Sequence, residues 1–456
     1  MACYNIAELL RNPRELWLVL TISVGECLAT FSTFYILSKY LSDVLAYSDI
    51  AVGIILGCMT GFQFVFGLLM APLLDGWGVR VCLCLGCYGL SIARLMFWLF
   101  QGHWITLFSL CLLWPAGASL VFSSLMIGIK RYSGRDSRSS AFGLYYVSFN
   151  VSSFGAAIIV HLTRVSTSAH GNSPDMEASH AMYSHILGFS VVITALITVM
   201  SHLLRNIAVD DETGEERAPV YSGSGWANMK EASSSAAFWR FTAVIMIFML
   251  LRMIFGHMKA TVPKWMTRAF GEGTPYELYI GLNGLLVIFL VPVLAIMTKA
   301  VKMGLEATLI CGAWVSGLSP ICIVLMSSSP TGVLAFITVF SVGEALWSPR
   351  LLEYAASVPK EGKEGIFAVL SLAPLYLAKF FAGIISGFLL TEFCPAPRPA
   401  CRSSTLWSAI LAMSATTPLA LTAARAWLFP PTSRDRSKDA ASVEESWPLL
   451  KDQARS

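Results

Sequence analysis

The chain has 456 residues, of which 55% are hydrophobic and 13% are charged, and its net charge is +4. Soluble proteins carry about 25% charged residues, so this composition and the mean hydropathy of +0.65 exclude an ordinary soluble protein. They indicate a polytopic membrane protein. The basic residues lie mainly in short loops, a distribution that reflects membrane topology rather than nucleic-acid binding.

Twelve apolar runs are long enough to cross a bilayer as helices. They predict spans 1 to 12 at residues 16–38, 51–74, 79–100, 104–128, 140–163, 183–204, 238–259, 277–299, 303–326, 331–353, 365–391 and 404–428. The polar start of the chain has no cleavable signal-peptide pattern, so we expect span 1 to remain in the protein.

A polar stretch divides the twelve spans six and six. We therefore predict an all-α membrane protein with two six-helix bundles. Residues 1–204 form the N-terminal six-helix bundle, 205–237 a cytoplasmic linker, 238–429 the C-terminal six-helix bundle, and 430–456 a disordered cytoplasmic tail.

Lysine and arginine are distributed unevenly between the two sides of the predicted membrane. The richer side has Arg11, Arg14, Arg80, Lys130, Arg131, Arg135, Arg138, Arg205, Lys299, Lys302, Lys360 and Lys363. The other side has Lys39, Arg164, Lys264, Arg268, Arg398 and Arg402. The positive-inside rule therefore predicts that both termini are cytoplasmic.

The loop between spans 2 and 3 reads APLLDGWGVR and contains Asp75, Gly78 and Arg80. Glycine permits a tight turn there, and the two charges can pair with neighbouring helix ends. Lys302 and Gly304 stand in the matching loop of the second half, which indicates an internal repeat. Twelve spans split six and six with this loop resemble the major facilitator superfamily, whose fold we expect here.

Several ionisable residues fall near the middle of predicted spans, where a charge normally faces a partner or a water-filled cavity. These are Glu26, Arg94, Arg252, His257, Glu344 and Lys379. Because both halves contribute, we expect them to converge on a central cavity of the kind in which transporters bind substrate. Glu26, Glu344 and His257 are candidates for proton coupling. The cations are candidates for binding an anionic group, although Arg94 and Lys379 are also consistent with structural salt bridges.

Other polar residues have structural interpretations. Arg350 and Glu353 stand near the cytoplasmic end of span 10, where a structural or gating pair is expected. Lys259 is placed so that its side chain can extend to the membrane interface. Cys394 and Cys401 share one loop, and the sequence leaves open whether they form a disulfide. The remaining cysteines fall mostly in apolar runs, so we expect no metal site.

Three segments resemble the proton-dependent oligopeptide transporter family. Span 5 carries Phe142, Tyr146 and Asn150 in the family's F-x-x-x-Y-x-x-x-N pattern. Span 8 carries Asn283 and Pro292, and span 10 carries Gly343, Glu344, Ser348, Pro349 and Glu353 in the family's G-E-x-x-x-S-P-x-x-x-E segment. The resemblance implies that Asn283 and Glu344 hold a substrate amino group. It also implies that Asn150 contacts peptide backbone and that Tyr146 lies in the same site.

Two departures from this family affect the substrate. Where the family has E-x-x-E-R-F in span 1, this chain keeps Glu26 and Phe31 but has Ala29 and Thr30 in place of the second acid and the arginine. Span 4 has no mid-helix lysine. The resemblance implies that the missing arginine would bind a peptide carboxylate and that the missing acid would share in proton coupling with Glu26. We expect Arg94, Arg252, His257 or Lys379 to take the anionic group instead.

These observations predict a secondary transporter of small zwitterionic or anionic solutes, such as amino acids or short peptides, driven by protons. An uncoupled uniporter or organic-anion carrier, and a non-transporting receptor or scaffold with the same fold, remain alternatives. The polar segments contain no nucleophile–base spacing, Walker loop or cofactor signature, so we expect neither an enzyme nor a cofactor.

The tail reads ESWPLL at Glu445 to Leu450, an acidic dileucine sorting pattern with Glu445, Leu449 and Leu450. Such signals are read by adaptor proteins and direct proteins to endosomes or lysosomes. We therefore expect a lysosomal or endosomal membrane, with the plasma membrane as the alternative. The expected partners are the bilayer, the solute, protons, and adaptors or an accessory subunit.

Overall fold

The computed structural model describes residues 9–100, 102–170, 176–210, 215–218, 236–357, 364–396 and 401–429. Within them, twelve helices are long and apolar enough to span a membrane. The predicted all-α fold class is confirmed, and each helix coincides with a predicted span to within a few residues, except that the hydrophobic span of the eleventh, Ala373–Phe393, begins later than predicted. The predicted tail at 430–456, with Glu445, Leu449 and Leu450, lies outside the described residues.

The first six membrane helices are α1 to α6. They are α1 (Arg14–Asp43), α2 (Asp49–Met70), α3 (Gly76–Leu99), α4 (His103–Arg131), α5 (Arg135–His170) and α6 (Met176–His202). The α2 and α3 spans belong to one helical stretch, Asp49–Leu99, and α4 contains a π-helical turn at Ser109–Leu113.

The remaining six membrane helices are α7 to α12, with short helices between and after them. They are α7 (Ala236–Ala260), α8 (Tyr276–Ala300), α9 (Leu305–Leu325, in two pieces, Leu305–Leu318 and Ile321–Leu325), α10 (Pro330–Ser357), α11 (Glu364–Phe393) and α12 (Ser403–Ala423). A short helix, Val262–Phe270, connects α7 to α8, and another, Arg425–Leu428, follows α12.

An even number of spans places the start of α1 and the end of α12 on one side of the membrane, which we call the terminal side. The other side is the opposite side. Tight crossings made by glycine recur in both halves: Gly86 of α3 meets Gly117 of α4, and Gly312 of α9 meets Gly343 of α10. Small residues permit such backbone approach between membrane helices. The repetition of the crossing at corresponding positions agrees with the predicted internal repeat.

The first residues of the predicted linker are folded against the start of α1. Two-residue strands, Ala208–Val209 and Glu216–Arg217, pair in antiparallel fashion. Arg205 donates through Nε and Nη2 to the buried carboxylate of Glu15 over 2.6 and 2.9 Å, and it also reaches Glu216. The carboxylates beside Arg205 raise the pKa of its guanidinium. The boundaries of the two predicted bundles and of the linker stay predictions.

Candidate functional site

The Glu344 carboxylate lies in the middle of α10, where it meets α5 and α8. Asn283 on α8 donates from Nδ2 to Oε2 over 2.7 Å, and the hydroxyl of Tyr146 on α5 donates to Oε1 over 3.3 Å. The other proton of the Asn283 amide goes to Ser341 Oγ at 3.0 Å. Glu344 is 5% exposed. Its carboxylate is therefore held mainly by neutral donors, and one of these comes from the other half of the molecule.

Local sequence explains why Glu344 points inward. A Cβ atom on Gly343 would clash with Ser316, so glycine lets α10 pack directly against α9. Trp347, one turn after Gly343, donates from its indole to Ser316 Oγ at 3.1 Å and fixes the rotation of α10 about its axis. With Gly343 on the α9 side, the neighbouring Glu344 faces α5 and α8 instead.

Arg252 of α7 is the cation whose charge acts on the Glu344 carboxylate among the described residues. Its guanidinium lies over the Trp347 ring, 5.3 Å from the ring centroid, and it attracts the Glu344 carboxylate without forming a close ion pair. Trp347 is in turn packed against Phe248 at 5.2 Å between centroids. The stacked arrangement holds Arg252 by a cation–π contact, and the residue as a whole is half-buried.

Two lysines extend the positive region toward the opposite side. The Lys259 ammonium of α7 lies 4.1 Å from the centroid of Phe31 and 5.4 Å from that of Phe34, both on α1. Lys379 of α11 lies 6.0 Å from the Phe34 centroid. We expected Lys259 to extend to the membrane interface, but it faces α1, because it stands seven residues after Arg252 and so occupies the same helix face. Sequence reasoning missed this residue, although the spacing was readable.

Glu26 and Arg94 form a buried ion pair inside the first half. Arg94 donates to both Glu26 carboxylate oxygens, at 2.9 and 2.6 Å, and to Thr30 Oγ1 at 2.7 Å. Trp114 stacks beneath the guanidinium at 4.7 Å. The guanidinium of α3 thus reaches the place where the related family carries an arginine on span 1. This ion pair neutralises both charges within the first half. The predicted roles of Glu26 in coupling and of Arg94 in substrate binding stay predictions.

His257 occupies a different environment from Glu344. Its Nδ1 is bonded to Thr261 Oγ1 at 2.8 Å, and Thr261 in turn donates to Ser386 of α11. Its Nε2 is buried without a hydrogen-bond partner among the described residues. The ring faces apolar side chains of α12, including Ile410 and Met413. Its predicted role in proton coupling stays a prediction.

Asn150 lies at the crossing of α5 and α8. It is buried, and its side-chain amide donates to the carbonyl oxygen of Tyr146 on its own helix at 2.9 Å. A Cβ atom on Gly284 would lie 2.7 Å from the Asn150 carbonyl oxygen, so the two helix backbones touch at this level. Asn150 is therefore next to the Glu344 cluster, and its contact with substrate stays a prediction.

An ion-pair layer closes the opposite side between the two halves. The carboxylate of Asp49, at the start of α2, accepts a hydrogen bond from Lys264 Nζ at 2.9 Å. It also accepts two from the Arg268 guanidinium, at 2.7 and 2.8 Å, and both donors stand on the Val262–Phe270 helix. Lys264 also donates to Ser42. Burial lowers the pKa of the Lys264 amino group, and the Asp49 carboxylate opposes that shift.

A second set of charges links α5 to α8 in the same layer. Glu277, fully buried, lies 2.9 Å from His161 Nδ1 and 2.8 Å from Arg164 Nη2. Arg164 also donates to the Thr274 carbonyl oxygen. Together with Asp49 and its partners, these residues form what we call the opposite gate. Sequence reasoning placed Arg164, Lys264 and Arg268 only by side, because ion pairs between distant helices leave no local pattern.

Glycines bring α2 and α11 together beneath the opposite gate. A Cβ atom on Gly383 would lie 2.7 Å from Gly57 N and 2.8 Å from Gly53 O. One on Gly387 would lie 2.7 Å from Asp49 O. The G-x3-G spacing of both helices, typical of close helix crossings in membranes, was the signal that could have found this contact.

The residues predicted to be structural or gating lie on the terminal side. Gly78 has φ 80° and is the non-helical residue that kinks the long stretch Asp49–Leu99 near the start of α3. Arg80 donates to the carbonyl oxygen of His202 at the end of α6, at 3.3 Å. Arg350 is half-buried near the end of the α10 span. The side chains of Asp75 and Glu353 lie outside the described residues, so their predicted pairing stays a prediction.

The loop between α11 and α12 on the opposite side is tied by a disulfide. Cys394 and Cys401 are bonded across a sequence separation of seven residues. Arg402, the next residue, donates to the carbonyl oxygen of Phe393 from its backbone amide at 2.6 Å. The structure thus settles the pairing that the sequence left open.

Comparisons with known proteins agree with this geometry. The family model of the Major Facilitator Superfamily matches residues 19–367. No curated protein sequence matches the chain significantly. A POT family transporter in complex with 5-aminolevulinic acid is similar in structure with a TM-score of 0.69 and 15% identity, over 91% of this chain and 97% of that chain.

Two further solved structures are similar over nearly the whole chain. An auto-inhibited POT family peptide transporter has a TM-score of 0.70 and 14% identity, over 90% of this chain and 96% of that chain. The nucleoside transporter NupG has a TM-score of 0.68 and 11% identity, over 91% and 100%. At such identities the likeness shows the fold alone, whereas the family model covers most of the chain. The chain therefore belongs to the major facilitator superfamily of membrane transporters.

Proposed function

We propose that the chain is a proton-coupled secondary transporter of small zwitterionic or anionic solutes, of the amino acid or short peptide class, working by alternating access. One observation carries the proposal. Glu344 is a buried carboxylate that accepts hydrogen bonds from Tyr146 of one half and Asn283 of the other, beside Arg252. A group in this position senses both the solute and the relative placement of the halves.

The coupling follows from the charge of Glu344. When ionised, it attracts a solute amine, and its bonds to Tyr146 and Asn283 are charge-assisted. Protonation removes the charge, so the amine is released and the link to α5 across the two halves weakens. Proton movement down its gradient then drives the rocking of the halves against each other.

The closed opposite gate supports a conformation open toward the terminal side. Asp49 and Glu277 tie the two halves together there, while Arg252, Lys379 and Tyr146 remain half-accessible at mid-depth. If the termini are cytoplasmic, as the positive-inside rule predicts, this conformation corresponds to the inward-facing state. The gate must break for the solute to enter from the other side.

The related structures support the substrate class. Their descriptions name a peptide transporter and a complex with 5-aminolevulinic acid, which carries one amine and one carboxylate. A nucleoside transporter has a similar fold, so the fold does not fix the substrate. An uncoupled uniporter is the second candidate, favoured by Ala29 and Thr30 in place of the span 1 acid and arginine.

Uptake into proteoliposomes tests the function. Labelled dipeptides and amino acids should accumulate faster under an inward proton gradient than without one. Glu344→Gln should reduce gradient-driven uptake at least tenfold but retain some exchange, because the amide mimics the protonated acid. Glu392→Gln, an exposed glutamate of α11, is the matched control and should behave as wild type. Unchanged transport by Glu344→Gln under every condition would refute the role assigned to Glu344. Wild-type uptake that does not depend on the proton gradient would favour the uncoupled uniporter.

The proposed location is a lysosomal or endosomal membrane, through Glu445, Leu449 and Leu450 read by adaptors. An acidic lumen would supply protons for export of solute to the cytosol. Changing Leu449 and Leu450 to Ala should move the protein to the cell surface. An unchanged location of the variant would refute the role of this pattern in sorting. Finding the wild-type protein at the cell surface would favour the plasma membrane.

A further inference from the structure

The positive charges of the central site exceed the negative charges that face them. Three cations lie together there: Arg252, Lys259 and Lys379. The positive charge of Lys379 is repelled by that of Arg252 and repels that of Lys259. Glu344 is the one carboxylate that acts on Arg252, and none acts on the two lysines in the part of the chain that the structure describes. Glu26 does not offset them, because Arg94 already neutralises it.

The two lysine amino groups have no hydrogen-bond acceptor among the described residues. Phe31 and Phe34 of α1 meet them with ring faces, which attract the charge but accept no conventional hydrogen bond. An ammonium has three donors. Two neighbouring ammonium groups with free donors and no carboxylate are costly in a membrane interior unless an anion joins them.

The positions of the charges also define a length. Arg252 and Lys259 are seven residues apart on one face of α7, which corresponds to about 10 Å along the helix axis. An extended dipeptide spans about 7 Å of backbone, at about 3.5 Å per residue, and an acidic side chain adds to that reach. A dipeptide with its amine at Glu344, beside Arg252, and its backbone running along α7 would extend its carboxyl end toward Lys259 and Lys379.

We propose that Lys259 and Lys379 form an anion subsite that selects solutes with two negative groups at one end and an amine at the other, such as dipeptides whose second residue is acidic. This inference rests on the proposed function and deepens it. In this arrangement the amine subsite on α10 and the anion subsite on α7 and α11 both belong to the second half, and α1 contributes aromatic walls.

Competition between isosteric dipeptides tests the subsite. Ala-Asp and Ala-Asn differ in one charge at nearly equal size, so their relative ability to inhibit uptake of labelled Ala-Asp isolates that charge. In wild type we expect Ala-Asp to compete about tenfold better or more. Lys259→Gln with Lys379→Gln should weaken both dipeptides, because both carry the C-terminal carboxylate, and should bring the ratio close to one at the higher concentrations then needed. Lys259→Arg with Lys379→Arg should preserve the preference.

Further arms separate the possible failures. Lys299→Gln, an exposed lysine at the end of α8, should leave the ratio unchanged, and melting temperatures confirm that each variant is folded. Succinate, a dianion without an amine, should compete poorly. A wild-type ratio near one, or a ratio unaffected by the double substitution, overturns the subsite but leaves the proposed function intact. Absence of uptake and of thermal stabilisation by either dipeptide overturns both, and strong competition by succinate overturns the amine requirement.

Discussion

The glycine crossing between α2 and α11 predicts a substitution that changes conformational preference with a single added methyl group. In the structure a Cβ atom on Gly383 would lie 2.7 Å from Gly57 N and 2.8 Å from Gly53 O. Both neighbours are backbone atoms, which cannot move aside as a side-chain tip can. Overpacking of this kind costs about 1–3 kcal/mol.

That cost applies only while the two helices touch. When the opposite gate opens, we expect α2 and α11 to separate on that side, so that the methyl group meets no backbone. The gain in helix propensity on replacing glycine with alanine, about 1 kcal/mol, is present in both states and cancels. Gly383→Ala should therefore shift the equilibrium toward the state open to the opposite side by about 5- to 150-fold.

The assay measures how fast a cysteine on the inner side of the opposite gate is labelled from each side of the membrane. Phe34→Cys, in a background with the free cysteines replaced, places a thiol beside the lysine pair. In oriented vesicles, a membrane-impermeant maleimide added from the opposite side should label it slowly in the parent protein and at least fivefold faster after Gly383→Ala. Labelling from the terminal side should fall.

The matched control is a crowded glycine inside one half. A Cβ atom on Gly117 would lie 2.8 Å from Leu90 N and 2.9 Å from Gly86 O. Both helices belong to the first half, so we expect them to move together. Gly117→Ala should lower thermal stability without changing labelling from either side. Equal labelling in the Gly383→Ala and parent proteins, with Gly383→Ala folded, would refute the idea that this crossing opens during transport.

Three further predictions test other contacts. Asp49→Asn removes the shared partner of Lys264 and Arg268 and should favour the opposite-open state by about 3 kcal/mol in the same labelling assay. The control Glu272→Gln removes the largely exposed partner of Lys39 and should shift the equilibrium by less than about 1 kcal/mol. Equal effects of the two substitutions would mean that burial does not set the strength of the gate. Arg94→Met alone should destabilise the protein by about 3–5 kcal/mol by leaving Glu26 unpaired, and adding Glu26→Gln should recover most of that loss in thermal unfolding; an additive double variant would contradict the pairing. Cys394→Ser should lower stability by about 2.5 kcal/mol, from the entropy of a loop of about eight residues, and reductant should have the same effect on wild type but none on the variant.

Much of the fold was readable from the sequence because the bilayer imposes a length and a composition on every span. The positions of α1 to α12 followed from apolar runs, and the kink at Gly78 followed from one glycine in a charged loop. The pattern around Glu344 also predicted its neighbours, Asn283 and Tyr146, since the resemblance to a transporter family placed all three in one site. The structure brings these three side chains together.

The partners of the other mid-membrane charges were not readable. Depth along a helix is encoded in the sequence, but rotation about the helix axis and the choice of neighbour depend on packing with distant helices. Glu26 and Arg94 have the same depth as Glu344, yet they face each other inside the first half. Lys259 was assigned to the interface from its position near a helix end, but the face it shares with Arg252 directs it to α1. The opposite gate joins residues more than one hundred positions apart in sequence, for which no local pattern exists.

The distribution of charge between the halves bears on how such a transporter can couple solute to conformation. The first half has satisfied its own mid-membrane charges, through Arg94 and Glu26, and offers the centre aromatic rings and the Tyr146 hydroxyl. The second half holds the unbalanced cations and Glu344. A solute would therefore bind chiefly to one half, and the hydrogen bond from Tyr146 to Glu344 would connect that bound solute to the other half. Because a protonated Glu344 no longer offers a charged acceptor to that hydroxyl, the proton would act on the same contact that the rocking motion must break. Tyr146→Phe should consequently weaken coupling more than binding, since the ring remains while the link between the halves is lost.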